Sequence, residues 1–304
     1  MTNIEIETLQ ITKTYDTETV VNNLSLNIPS GSIYGFLGPN GAGKTTTMRM
    51  LVGLIKPDDG IIRYRGKELQ KHKKAILKNI GCFIDTPSYY PHLTGYENLK
   101  YIQKVINLPI SEVDRVLDVV NLTFAKNKKV KEYSLGMRQR LGLAFSLLND
   151  PDIIILDEPT NGLDPEGIHE IRNLLINLSK YEKKTIIVSS HNLAEIESMA
   201  THIGMINQGN MIYEGTLRDL YEKTSNEYTL IVNEPEKVKE ILNSHSITYR
   251  ENLNDIVMQT NPEAAAELNK IFANHGIKVF ELTQSKKTLE DVFLSLTGKG
   301  SESV

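Results

Sequence analysis

Nine consecutive residues carry the clearest chemistry in the chain: Gly38, Pro39, Asn40, Gly41, Ala42, Gly43, Lys44, Thr45 and Thr46. They satisfy the spacing G-x-x-x-x-G-K-[ST], in which glycines let successive backbone N–H groups converge on one anion. Lys44 then reaches the terminal phosphates of a nucleotide, and the Thr45 hydroxyl ligates a magnesium ion. A second chemical feature is the acid pair Asp157 and Glu158, which closes the apolar run "PDIIIL". A carboxylate at a strand end can hold the metal, and its neighbour can polarise a water molecule as a general base. Alone, such a pair reads as two solvated acids; beside a phosphate loop it reads as catalytic.

These residues need particular elements to position them. "SIYGFLGPNGAGKTTTMRMLVGLI" passes from a short apolar strand through the glycines into a helical pattern, so the dipole of a helix starting near Lys44 adds to the anion site. Residues 153–156 and 185–189 read as buried strands, and strands alternating with helices indicate a parallel α/β sheet. Residues 93–148 have a helical pattern without a comparable strand, which predicts a helical insertion. Past residue 220 the texture changes to strand, helix, two strands, helix and strand, the split-βαβ order of a small α+β ferredoxin-like domain. The expected division is therefore 1–220 and 221–304, with an amphipathic helix in "TLEDVFLSLTG" near the end.

Bulk composition narrows the classes further. The 304 residues are 40% hydrophobic and 24% charged with a formal net charge of -4, an ordinary globular balance that gives no support for nucleic-acid binding. The single cysteine, Cys82, precludes an internal disulfide and reads as a packing residue. No run approaches the roughly 18 apolar residues of a membrane span, and the acidic start "MTNIEIETLQ" is unlike a signal peptide.

"YSLGMRQRL", residues 133–141, completes a set that resembles the ATP-binding cassette family, whose signature is usually written LSGGQ. Tyr15, the phosphate loop, the Asp85 segment, the signature, Asp157–Glu158, "NGLD" at 161–164 and His191 follow in that family's order across residues 4–220. The resemblance implies a P-loop nucleotide-binding domain with parallel core sheet, antiparallel β subdomain and helical subdomain. It implies ATP and Mg²⁺ as ligands, with Tyr15 stacked on adenine and Thr45 and Asp157 at the metal. It further implies that two cassettes, alike or different, sandwich ATP, and that Ser134 and Gly136 cap the γ-phosphate held by the other cassette. Glu158 and His191 would hold the attacking water, and Asp164 would communicate across the dimer. His191 taken alone would be a capping or packed histidine.

Two residues depart from the pattern. Leu135 stands at the first signature glycine, and Asp85 stands where a glutamine is usual, in the loop that meets the membrane partner. Near the metal an added carboxylate would be a further ligand, which places Asp85 with Thr45 and Asp157 among the expected metal contacts. "SLGM", the loop acid and the ending "TLEDVFLSLTG" resemble a narrower group, the bacitracin-resistance and lantibiotic-immunity transporter ATPases, in which glutamate is common at the Asp85 position. The leading expectation is the ATPase subunit of a peptide-antibiotic exporter, peripheral on the inner face of the cell membrane, with separately encoded permease subunits and no nucleic-acid partner. A soluble cassette ATPase of ribosomes or DNA, and an exporter of a drug, lipid or polysaccharide, remain the alternatives. A P-loop kinase or GTPase is disfavoured by the signature and His191.

Overall fold

A computed structural model describes residues 3–85, 89–224, 227–252, 255–284 and 288–297. It divides into two compact units, Met1–Leu217 and Arg218–Val304. The chain opens with a long antiparallel hairpin, β1 (Ile4–Tyr15) and β2 (Glu18–Pro29). Then come β3 (Ile33–Leu37), α1 (Lys44–Leu51), β4 (Asp59–Tyr64), β5 (Lys67–Glu68), α2 (Leu69–Leu77) and β6 (Ile80–Phe83). Three helices follow, α3 (Gly95–Val105), α4 (Ser111–Val119) and α5 (Leu135–Leu147). The remainder alternates: β7 (Ile153–Asp157), α6 (Pro165–Glu182), β8 (Thr185–Ser190), α7 (Leu193–Glu197), β9 (His202–Asn207), β10 (Asn210–Thr216) and α8 (Leu217–Thr224).

Two sheets result. One has the order β2-β1-β4-β5; the other has the order β10-β9-β3-β8-β7-β6, with every pairing parallel except β9 with β10. The sequence explains the difference. Every residue of β3 and β8, and the first four of β7, are buried, as parallel strands covered on both faces require. β6 is at the sheet edge, so Gly81 and Phe83 point inward while Cys82, expected as a packing residue, lies exposed. Residues 93–148 hold α3, α4, α5 and two short 3₁₀ turns, with one isolated bridge between Thr94 and Lys129. A capping box between Thr94 and Glu97 starts α3.

The second unit contains β11 (Glu227–Val232), α9 (Pro235–Ser244), β12 (Tyr249–Asn252), β13 (Asp255–Gln259), α10 (Pro262–Asn274), β14 (Val279–Gln284) and α11 (Leu289–Leu296). Its antiparallel sheet has the order β12-β13-β11-β14, so β13 lies between the two strands that α9 connects. Tyr228, Leu230, Val238, Leu242, Met258 and Phe272 form its own core. Residues 298–304 of the expected accessory domain lie outside the described residues.

Candidate functional site

The phosphate loop runs from the end of β3 to the start of α1. Gly41 and Gly43 have φ of 80° and 102°, a region closed to most side chains. Gly43 also lies against β2, where an added Cβ would come within 2.6 Å of the Val20 carbonyl oxygen. Residues 40–46 line a 280 Å³ cavity with Val20, Glu158, Asn161 and His191. The Lys44 side chain folds back under the loop, its Nζ donating to the carbonyl oxygens of Gly38 (2.7 Å) and Pro39 (3.2 Å). The same ammonium stands 3.6 Å from Glu158 Oε1. The loop's own carbonyls and one acid thus surround the buried cation.

Asp157 ends β7 beside Ser189, its register partner on β8. Its Oδ2 accepts from Thr45 Oγ1 at 2.7 Å and its Oδ1 from Ser189 Oγ at 2.5 Å. A hydroxyl and a carboxylate oxygen held together at the foot of a phosphate loop are donors suited to a hard divalent cation. Glu158 follows in a left-handed conformation, φ 50°, stabilised by its N–H donating to the Ser189 backbone oxygen (3.2 Å) and hydroxyl (3.0 Å). Its carboxylate has partners of its own: Oε2 lies 2.7 Å from His191 Nδ1, and Oε1 faces Lys44. An acid held between an imidazole and an ammonium, above an anion cradle, can orient a water and take its proton.

Ser134 caps α5, its Oγ accepting from the Met137 N–H at 3.2 Å. Asp164 caps α6 in the same way, accepting from Gly167 N–H at 3.1 Å. Both helix starts, with Gly136 and Leu135, open onto a 520 Å³ groove that shares no lining residue with the phosphate-loop cavity. The structure therefore gathers Lys44, Thr45, Asp157, Glu158 and His191 into one site and keeps Ser134 and Gly136 out of it. Tyr15 sits at the end of β1, 43% exposed, with Lys13 Nζ 5.4 Å over its ring, and does not line the cavity.

Asp85, also expected among the metal contacts, is engaged by an arginine. It lies just beyond β6 at φ 63°, and both carboxylate oxygens accept from Arg49 Nη2 at 2.8 Å. Among the described residues no group of three His, Cys, Asp or Glu side chains is arranged to hold a metal. Sequence reading also missed Ser189 and Arg49. A serine at the end of a buried strand and an arginine one helical turn after Thr45 were visible, but their partners depend on strand register and loop path.

The sequence profile described as "ABC transporter" matches residues 21–161. Bacitracin transport ATP-binding protein BcrA of Bacillus licheniformis is 40% identical over 300 residues, covering 97% of this chain and 98% of that protein. Lantibiotic transport ATP-binding protein SrtF of Streptococcus pyogenes is 43% identical over 202 residues, 66% of this chain and 86% of that one. A solved dimeric ATP-binding cassette in a post-hydrolysis state, bound to ADP and Pi, superposes with a TM-score of 0.64 at 26% identity, over 70% of this chain and 99% of its own.

Proposed function

The chain belongs to the ATP-binding cassette transporter family and hydrolyses ATP, and from that premise we propose that it drives a bacitracin- or lantibiotic-type peptide exporter through separately encoded permease subunits. The observation that supports this substrate class is the extent of the likeness to the bacitracin transport protein, which runs through both compact units rather than the nucleotide-binding unit alone. In this reading the protein lies on the inner face of the membrane, held there by the permease; among the described residues no helix is long and apolar enough to cross a bilayer.

The loop amides of residues 40–46 and the Lys44 ammonium bind the phosphate tail, and Lys44 exchanges the Gly38 and Pro39 carbonyls for phosphate oxygens. Thr45 and Asp157 would hold Mg²⁺, which supplies charge neutralisation on the phosphates when bound. Glu158 accepts the proton of the attacking water, while His191, bound through Nδ1, keeps that carboxylate oriented. In this reading Ser134 and Gly136, which open onto a separate groove, meet the phosphate held by a second cassette, alike or different. A hydroxyl at a helix start is suited to that task.

The test pairs the chain with its candidate permease in a sensitive bacterial host. Wild type should raise the inhibitory concentration of bacitracin or a lantibiotic, and Lys44→Ala should abolish both the protection and ATP turnover. Protection against an unrelated drug alone would replace the substrate class, and turnover persisting in Lys44→Ala would remove the site assignment.

A further inference from the structure

Three carboxylates meet at the carboxyl ends of β6 and β7: Asp85, Asp157 and Glu158 line one 320 Å³ cavity. Phe83 and Leu156 are register partners on these strands, and Asp85 and Glu158 each stand two residues further on. Asp157 is taken up by Thr45 and Ser189, and Glu158 by His191 with Lys44 opposite. Asp85 has neither duty. Both its oxygens accept from one Arg49 nitrogen, and Arg49 stands four residues after Thr45, on the same face of α1. The cavity and its neighbours thus carry three negative side chains against three cations, Arg138 in the lining with Lys44 and Arg49 beside it, and of these Arg49 is the one bonded to Asp85. A nucleoside triphosphate adds several negative charges to that balance, and an unpaired acid nearby would repel it.

We propose that Arg49 is a positioning residue that neutralises Asp85 and holds its carboxylate off the phosphate and metal site, which admits a loop acid beside a polyanionic ligand. The proposal rests on residues 38–46 being the ATP site. The left-handed backbone at Asp85 is one that aspartate tolerates, and its carboxylate meets Arg49 of α1. The ion pair is half-exposed, with side-chain exposures of 38% for Arg49 and 54% for Asp85, so its effect is moderate and weakens with salt.

The experiment measures equilibrium binding of a fluorescent ATP analogue to the purified full chain, in Mg²⁺ and in EDTA, at low and high salt. Arg49→Met should weaken binding about threefold to fivefold at low salt, with less loss at high salt. Arg49→Lys should retain most of the affinity. Adding Asp85→Asn to Arg49→Met should restore it, because the unpaired charge is gone; melting temperatures report that each variant is folded. A defect that persists in the double variant would show that Arg49 matters through helix packing instead, and overturns the proposal. So does unchanged affinity in Arg49→Met, or weakening by Asp85→Asn in Mg²⁺ but not in EDTA, the mark of a metal ligand. Lys44→Ala is the control for the underlying site: if it binds nucleotide normally, the site reading fails rather than the ion pair.

Discussion

Ser189 orients both members of the acid pair. Its hydroxyl donates to Asp157 Oδ1 and accepts from the Glu158 N–H, and the side chain is wholly buried. A metal ligand loses affinity when the group behind it is removed, commonly by about ten- to a hundredfold. Ser189→Ala should therefore raise the Mg²⁺ concentration needed for half-maximal ATP turnover by about tenfold. It also leaves one Asp157 oxygen short of a donor. A magnesium titration that overlays wild type would show that Thr45 and the strand backbone suffice to place Asp157.

At the scale of elements, α5 has two jobs at its two ends. Its first residues carry the signature that opens onto the 520 Å³ groove, and its last turns press on the edge strand β6. The closest approach is at Gly81, where an added Cβ would lie 1.9 Å from the Ser146 carbonyl oxygen and 2.8 Å from Pro151. Backbone cannot yield there as a flexible side chain could. Gly81→Ala should cost about 3 kcal/mol of stability, read as a lowered midpoint in chemical denaturation. Nucleotide binding by the folded fraction should persist, since the phosphate loop is built on β3 and α1. A midpoint equal to wild type would mean that α5 does not pack this closely.

At the scale of the whole molecule, the phosphate-loop cavity and the Ser134 groove share no lining residue, and the proposed function makes them two halves of a site completed by a second cassette. Removing the base while keeping the phosphate contacts should expose this. Glu158→Gln with ATP should form a stable dimer by light scattering, and the same variant with ADP should remain monomeric, because the γ-phosphate is the group that Ser134 would cap. Dimers of equal population in both nucleotides would indicate an association surface independent of the ATP site.

Sequence alone determined the parts of the site made of neighbouring residues. The cradle of residues 38–46 is consecutive backbone, and its glycines, lysine and threonine state its geometry locally. Asp157 and Glu158 were legible because an all-apolar run ending in acids is what a buried parallel strand looks like as it leaves the core. The left-handed turn at Glu158 was not legible, since it depends on the Ser189 backbone oxygen and hydroxyl on the adjacent strand. Arg49 and Asp85 were each visible, yet nothing local pairs a helix residue with a loop 36 positions away. Tertiary structure decided these partnerships because strand register and loop path are long-range properties, set by how crossovers pack rather than by any periodicity within a segment.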